Sequence, residues 1–392
     1  MMATFNLETC ARTNVFQLQP YRCARDDYTE GILLDANENA HGPSLPKEIY
    51  QTEYMRQLNR YPDPHQSDLK QLLCNLRNTN FDSPLTPANL YVGVGSDEAI
   101  DALIRCFCKP GKEMILTCPP TYGMYSVAAQ INEVTVVAVD QFVDENGKFS
   151  LRTDEVIEKL EQDPLIKLIY LCSPGNPTAA VLDQKAVKKI LECRWNGIVV
   201  VDEAYIDYSS PGSSMAPMVV DYPNLVVMQT LSKAFGMAGI RLGAAFASPP
   251  VAQLLNNIKA PYNISSPTSF LAQQALSKGG LKVMHRNVEA TIEQRARLVS
   301  ELPKIEGVSR IIGGLDANFL LVEILDRPGG APSSEVAQRV YKELAETKGV
   351  VIRYRGNEKG CRGCLRITVG TEAEISYLLT RLQIVLKEIY ST

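Results

Sequence analysis

The chain of 392 residues is poor in several residue types that mark common function classes, with one tryptophan and three histidines. His41, His65 and His285 are too far apart to suggest a metal cluster. No run of about 18 apolar residues could cross a bilayer. The first twenty residues, with Glu8, Arg12 and no apolar block, do not make a signal peptide, and Arg12 alone is thin support for a mitochondrial presequence. Neither sign of charge dominates: 40 Lys and Arg face 44 Asp and Glu, for a net charge of -4. That balance gives no general attraction to nucleic acid or anionic membrane, so any bound anion must be held by local arginines. The ten cysteines are mostly scattered, without the framework of a small secreted protein, and read as reduced thiols in the cytoplasm. Cys361 and Cys364 form a C-x-x-C pair, but no second pair is spaced for zinc, so no metal is expected.

What is present is a soluble globular composition, 45% hydrophobic and 21% charged, long enough for two or more domains. Short apolar runs at 114–116, 134–139, 168–172, 197–201 and 225–229 alternate in part with helical patterns such as 183–193. Strands buried on both faces and interleaved with helices imply an α/β fold with a mainly parallel sheet. In such a sheet ligands gather at the carboxyl ends of the strands. Three of the runs are followed by Ser173-Pro174-Gly175-Asn176, by Asp202-Glu203-Ala204-Tyr205 and by Thr230-Leu231-Ser232-Lys233. An amide, an acid with a phenol, and a lysine therefore converge on one rim.

Leu90-Tyr91-Val92-Gly93-Val94-Gly95-Ser96-Asp97 reads as a strand, a glycine turn and a helix start, which favours an anion such as phosphate. It is not a dinucleotide fingerprint, because Glu98 stands where the third glycine belongs. Lys233 lies among small residues, with Gly236, Gly239 and Gly243 expected to allow close backbone approach and Arg241 to supply a cation. A lysine joined to pyridoxal phosphate as a Schiff base needs such surroundings. Beyond a long helical stretch expected over 268–302, strands at 319–324, 349–353 and 364–369 with helices at 333–345 and from 372 suggest a small α+β domain.

In order and separation, Asn176-Pro177-Thr178, Asp202-Glu203-Ala204-Tyr205, Thr230-Leu231-Ser232-Lys233 and Arg241 resemble the class I/II aminotransferases of the aspartate aminotransferase fold. The likeness extends through Asp35-Ala36-Asn37-Glu38-Asn39, Arg60-Tyr61-Pro62-Asp63-Pro64, Pro119 to Tyr125 and Leu365 to Gly370, and it is closest to the branch acting on histidinol phosphate. It implies a seven-stranded sheet flanked by helices, with a small C-terminal α+β domain. The expected division is an N-terminal arm over 1–45, a large cofactor domain over 46–290 and a small domain over 291–392. It also implies pyridoxal 5'-phosphate, a homodimer with shared active sites, and amino transfer between histidinol phosphate and 2-oxoglutarate in histidine biosynthesis. Where the family usually has Asn-Pro-Thr-Gly, this chain has Ala179, which would be strained if the position needs positive φ.

By the same resemblance, Lys233, Asp202 and Tyr205 are the catalytic set. Asp202 would hold the ring nitrogen protonated, Tyr205 and Asn176 would bond the ring oxygen, and Tyr122 would stack on the ring. Gly95, Ser96, Asp97, Thr230, Ser232 and Arg241 would grip the phosphate, with Tyr61 arriving from a neighbouring subunit. Substrate would meet Arg366, assisted by Arg353, with Tyr21 and Asn37 lining the pocket; Arg355 is expected on a solvated edge. Rival readings are an aromatic or general amino-acid aminotransferase, a threonine-phosphate decarboxylase, and a non-catalytic binding protein that has kept the fold.

Overall fold

The computed structural model describes residues 27–28, 30–35, 37, 39, 41, 62–78 and 83–391. Seven strands form the larger sheet: β1 (Leu90–Val94), β2 (Met114–Thr117), β3 (Thr135–Ala138), β4 (Ile166–Cys172), β5 (Ile198–Asp202), β6 (Leu225–Thr230) and β7 (Leu242–Ala247). Their order across the sheet is β1-β7-β6-β5-β4-β2-β3, parallel throughout except that β7 runs antiparallel to both neighbours. The mainly parallel sheet anticipated from the apolar runs is therefore present, with β7 as a strand that those runs did not reveal. Leu242-Gly243-Ala244-Ala245 carries few β-branched side chains, so its strand character comes from pairing and burial and not from local propensity.

Helices α1 (Ser67–Arg77), α2 (Gly95–Phe107), α3 (Met124–Ile131), α4 (Thr153–Gln162), α5 (Gln184–Leu191) and α6 (Pro249–Ile258) accompany this sheet. One apolar core holds Val199, Val201, Val227 and Phe246, and another holds Val200, Met228 and Ala245. Successive residues of β5 thus enter opposite layers, which is why the strand is apolar without alternation.

The helical stretch expected over 268–302 is two helices, α7 (Ser266–Leu276) and α8 (Lys278–Glu301). Ser277 is extended at the junction, and its side chain accepts a hydrogen bond from the Gly280 amide over 3.2 Å, which restarts the helix. Gly280 is required there: a Cβ would lie 2.2 Å from the Ala275 carbonyl oxygen.

Beyond α8 lies a four-stranded antiparallel sheet of β8 (Val308–Ile312), β9 (Phe319–Ile324), β10 (Arg353–Tyr354) and β11 (Cys364–Thr368), in the order β8-β9-β11-β10. Helices α9 (Ser334–Thr347) and α10 (Glu372–Tyr390) cover it, around a core that includes Leu320, Ile367, Val340 and Leu382. The strand expected over 349–353 is split: Val350–Val351 pairs in parallel with Ile32–Leu33, and Arg353 then starts β10. The segment before the larger sheet is thereby tied to the smaller one, and Leu34 joins the same core.

Candidate active site

A cavity of about 310 Å³ opens at the carboxyl ends of β4, β5 and β6. Asn176, Asp202, Tyr205, Thr230, Ser232 and Lys233 all face it from that rim. Ser96, Asp97, Tyr122 and Arg241 contribute a second wall, and Asn37, Arg353 and Arg366 a third. Of the catalytic, cofactor and substrate residues that the resemblance implied, only Gly95 among those described is not part of this lining, and it directly precedes Ser96. Tyr21 and Tyr61 lie outside the described residues.

The second wall has the form of an anion cradle. Gly95 at φ 72° turns the chain from β1 into α2; its own amide donates to the Arg241 carbonyl over 3.1 Å, while the next amides of the first turn have no helical acceptors. Gly243 makes this approach possible, since a Cβ there would lie 2.3 Å from the Gly95 carbonyl carbon and 2.4 Å from the Ser96 nitrogen. The glycines near Lys233 thus act differently from expectation: Gly243 admits the start of α2, Gly236 takes φ 64°, and Gly239 meets neither a spatial nor a conformational demand. Arg241 follows a single 3-10 turn, Ala238–Ile240, in the left-handed region at φ 52°. Its guanidinium lies 3.5 Å from Asp97, with both side chains about half exposed. Thr230 and Ser232 add hydroxyls 2.9 Å apart.

At the inner end, Asp202 is buried and its two oxygens are held separately. Oδ1 accepts from the Ala204 amide over 3.1 Å, and Oδ2 accepts from the Tyr125 phenol over 2.8 Å. Burial raises the Asp202 carboxyl from 3.8 to about 6, with those two hydrogen bonds opposing the rise. Lys233 Nζ lies 5.7 Å from the centre of the Tyr205 ring. Burial also pushes the Tyr205 phenol up to about 12, so at neutral pH it is a hydrogen-bonding hydroxyl, and its oxygen accepts from Asn37 over 3.1 Å.

On the third wall Arg366 is buried inside β11. One nitrogen of its fork donates to the Asn176 side-chain oxygen and another to the Asp35 carbonyl, each over 2.6 Å, and its centre lies 5.3 Å from the Phe319 ring. Its Nε has no hydrogen-bond partner among the described residues. Burial, then Arg355 and Arg353 alongside, lower its pKa to about 9. It stays charged at neutral pH, and an anion would relieve the cost of holding three guanidinium groups together. Arg355 is a correction to the sequence reading: it lines the cavity, paired with Glu358 at 2.6 Å, because the turn after β10 folds back towards β11.

These features fit a phosphorylated aromatic cofactor. The cradle suits the phosphate, Asp202 suits a protonated ring nitrogen, and Lys233 offers an amine between them.

A family model for aminotransferases of class I and II matches residues 29–382. The chain belongs to this family. Among its relatives, this aminotransferase is 53% identical to the histidinol-phosphate aminotransferase of Schizosaccharomyces pombe over 391 residues, covering 99% of each chain. It is 50% identical to that of Saccharomyces cerevisiae, covering 96% of each. In fold it is similar to the crystal structure of histidinol-phosphate aminotransferase from Sinorhizobium meliloti in complex with pyridoxal-5'-phosphate. That match has a TM-score of 0.83 at 20% identity and covers 99% of this chain and 100% of the other. An L-threonine-O-3-phosphate decarboxylase from Porphyromonas gingivalis also matches, with a TM-score of 0.71 at 18% identity, covering 91% of this chain and 99% of that one. The fold alone therefore does not choose the reaction.

Sequence reasoning overlooked several residues that shape the aminotransferase site. Thr368 donates to the Asn37 side-chain oxygen over 2.8 Å, and Asn318 donates to the Asn37 carbonyl over 2.8 Å. Phe319 sets its ring edge against Tyr205 at 5.1 Å. Tyr125, three positions after Tyr122, was visible only as part of an aromatic loop; the helical turn that brings it under the sheet is what aims it at Asp202.

Proposed function

We propose that the protein catalyses reversible amino transfer between L-histidinol phosphate and 2-oxoglutarate, giving imidazole acetol phosphate and L-glutamate, with pyridoxal 5'-phosphate as cofactor. The observation that carries this reading is one cavity holding Lys233 and Asp202 at its inner end, an anion cradle on one wall and Arg366 with Arg353 on another. Identity of about one half with histidinol-phosphate aminotransferases over nearly the whole chain supports the same choice.

When bound, pyridoxal phosphate supplies an electron sink for the charge that develops at the substrate carbon bearing nitrogen. Lys233 takes the proton from that carbon and returns it on the other side of the transfer. Asp202 would serve the ring nitrogen as a carboxylate, and Tyr205 with Asn176 would serve the ring oxygen. Tyr122, which lines the cavity, would cover one face of the ring. Ser96, Asp97, Thr230, Ser232 and Arg241 would hold the phosphate through amides, hydroxyls and one guanidinium, with Gly95 shaping the turn that presents them while its own amide serves the Arg241 carbonyl. Arg366, with Arg353 beside it, accepts the phosphate of one substrate and a carboxylate of the other, since a planar fork suits either anion. Asn37 lines this pocket, and Tyr21 joins it on the strength of the family resemblance.

The same reading makes the active form a homodimer, with Tyr61 of one subunit completing the half-exposed edge formed by Arg241 and Asp97 in the other. It divides the chain into an arm (1–45), a cofactor domain (46–290) and a small domain (291–392), with the last boundary inside α8. We assign it to the cytoplasm, as befits buried thiols such as Cys361 and Cys364. Among the described residues no helix is long and apolar enough to cross a membrane.

The test is an absorption spectrum of the purified protein with pyridoxal phosphate, repeated after histidinol phosphate alone and then after 2-oxoglutarate. Loss of the visible band with the first and its return with the second is expected, as is borohydride fixation of the cofactor on Lys233. A band that ignores histidinol phosphate but answers phenylalanine or tyrosine decides for an aromatic aminotransferase. Failure to take up cofactor at all overturns the reading.

A further inference from the structure

The carboxylate at the inner end of the cavity is gripped from beneath by a side chain with no part in the reading above. Tyr125 lies in the first turns of α3, is fully buried, and donates its hydroxyl to Asp202 Oδ2 over 2.8 Å. Its ring is stacked on Tyr170 at 4.7 Å and 17°, and Tyr170 in turn donates to the Ile100 carbonyl over 3.0 Å. On its other side it meets the Tyr122 ring edge-on at 5.6 Å and 87°. Tyr122 bonds Asp97 over 3.2 Å. A single buried ring therefore connects the wall that covers the cofactor face to the acid that serves the cofactor nitrogen.

We propose that Tyr125 is a positioning residue for the transfer reaction: its hydrogen bond fixes Asp202 and lowers the proton affinity of that carboxylate, so that the proton between Asp202 and the cofactor ring rests on the ring nitrogen. The inference rests on the cofactor assignment made under Proposed function. A buried carboxylate is a strong base, because the charged form is starved of solvent. Left alone against a pyridine nitrogen, it would compete for the shared proton and weaken the electron sink. A neutral phenol donating to one oxygen stabilises the anion and tips the competition towards the ring. The other groups that face Asp202 do not do this equally. The Ala204 amide takes the second oxygen; Asp97 opposes the charge; Lys233 acts through space; and the Cys172 thiol donates elsewhere, to the Pro174 carbonyl over 3.4 Å. Packing alone does not require the hydroxyl, since phenylalanine would fill the same space between Tyr170 and Tyr122.

The experiment compares wild type with Tyr125→Phe, each loaded with pyridoxal phosphate carrying nitrogen-15 in the ring. Its nitrogen resonance reports where the proton sits. In the phenylalanine variant that resonance should move towards the unprotonated position. Cofactor should stay bound, and kcat should fall roughly 10- to 100-fold with little change in KM. In the cofactor-free proteins, infrared titration of the Asp202 carboxyl, recognised by its loss in Asp202→Asn, should show a higher midpoint in the variant. If both resonance and midpoint match wild type, Tyr125 is packing only and the proposal falls, whatever the activity. Should Tyr125→Phe fail to fold, site-specific 3,5-difluorotyrosine at position 125 is a more acidic donor and should lower the midpoint; an unmoved midpoint overturns the proposal. A wild-type protein that binds no pyridoxal phosphate shows no nitrogen resonance at all, and that result sinks the cofactor reading and this inference together.

Discussion

Arg366 donates to the side-chain oxygen of Asn176 over 2.6 Å, so a guanidinium in β11 of the smaller sheet is bonded to the rim of the larger one. The contact spans 190 positions of sequence and fixes the arginine proposed to meet substrate relative to the residue proposed for the cofactor ring oxygen. Arg366→Lys keeps a charge but loses the fork that serves Asn176 and the Asp35 carbonyl together. We expect kcat/KM to fall about 100-fold for both histidinol phosphate and glutamate, with cofactor uptake retained. Steady-state kinetics of the two half-reactions measure this, and unchanged values would remove Arg366 from the substrate site.

Gly243→Ala should act on the cofactor without touching it. The added methyl would stand 2.3 to 2.6 Å from the backbone of Gly95 and Ser96, and backbone cannot swing aside as a flexible side-chain end can. The start of α2 must retreat, and its amides with it. Affinity for pyridoxal phosphate, read by equilibrium dialysis, should fall about 10- to 100-fold while the strand pairing of β7 persists. Wild-type affinity in the variant would show that the α2 amides do not hold the phosphate.

The buried carboxylate of Asp202 costs stability, and the sign can be tested. Its carboxyl is raised on folding from 3.8 to about 6 by burial. The folded state therefore favours the protonated form, and that stabilisation is complete below pH about 4 and is lost as pH rises through about 6. In the cofactor-free protein, Asp202→Asn should be more stable than wild type by about 3 kcal/mol at pH 7 to 8, with the gap closing towards pH 4. Denaturant unfolding across that range gives the answer. Equal stability at all pH values would mean that burial does not penalise this carboxylate.

Ala179 takes φ 53° and is fully buried, with its amide donating to the Gly175 carbonyl and its own carbonyl accepting from the Asp316 amide, both over 2.8 Å. The strain anticipated from the missing glycine is therefore real. Ala179→Gly relieves about 1 kcal/mol of left-handed strain but gives up a buried methyl and adds unfolded-state freedom, so melting should change little. Ala179→Val should cost about 3 kcal/mol or more, because a β-branched residue neither accepts this conformation nor fits the space. A valine variant as stable as wild type would contradict the backbone described here.

The parallel sheet and its rim were legible because both are written locally. β4, β5 and β6 are short apolar runs, and Asn176, Asp202 and Lys233 follow them within a few residues. Strand β7 was missed because alanine and glycine carry little strand preference, and the break at Ser277 was missed because a serine in a helical pattern is ambiguous without its partner amide on Gly280. Arg355 was misplaced for a related reason. Nothing in the stretch around it reveals that its turn folds back onto the cavity.

By itself the sequence determined which side chains could do chemistry, since period, turn residues and strand ends depend on neighbours only a few positions apart. Tertiary structure alone decided how those groups meet. The closeness of Gly243 to Ser96, the bond from Arg366 to Asn176 and the phenol of Tyr125 beneath Asp202 each join distant segments. Such contacts form only when separate elements are packed at atomic distance, and no local pattern encodes the direction in which a buried side chain will point.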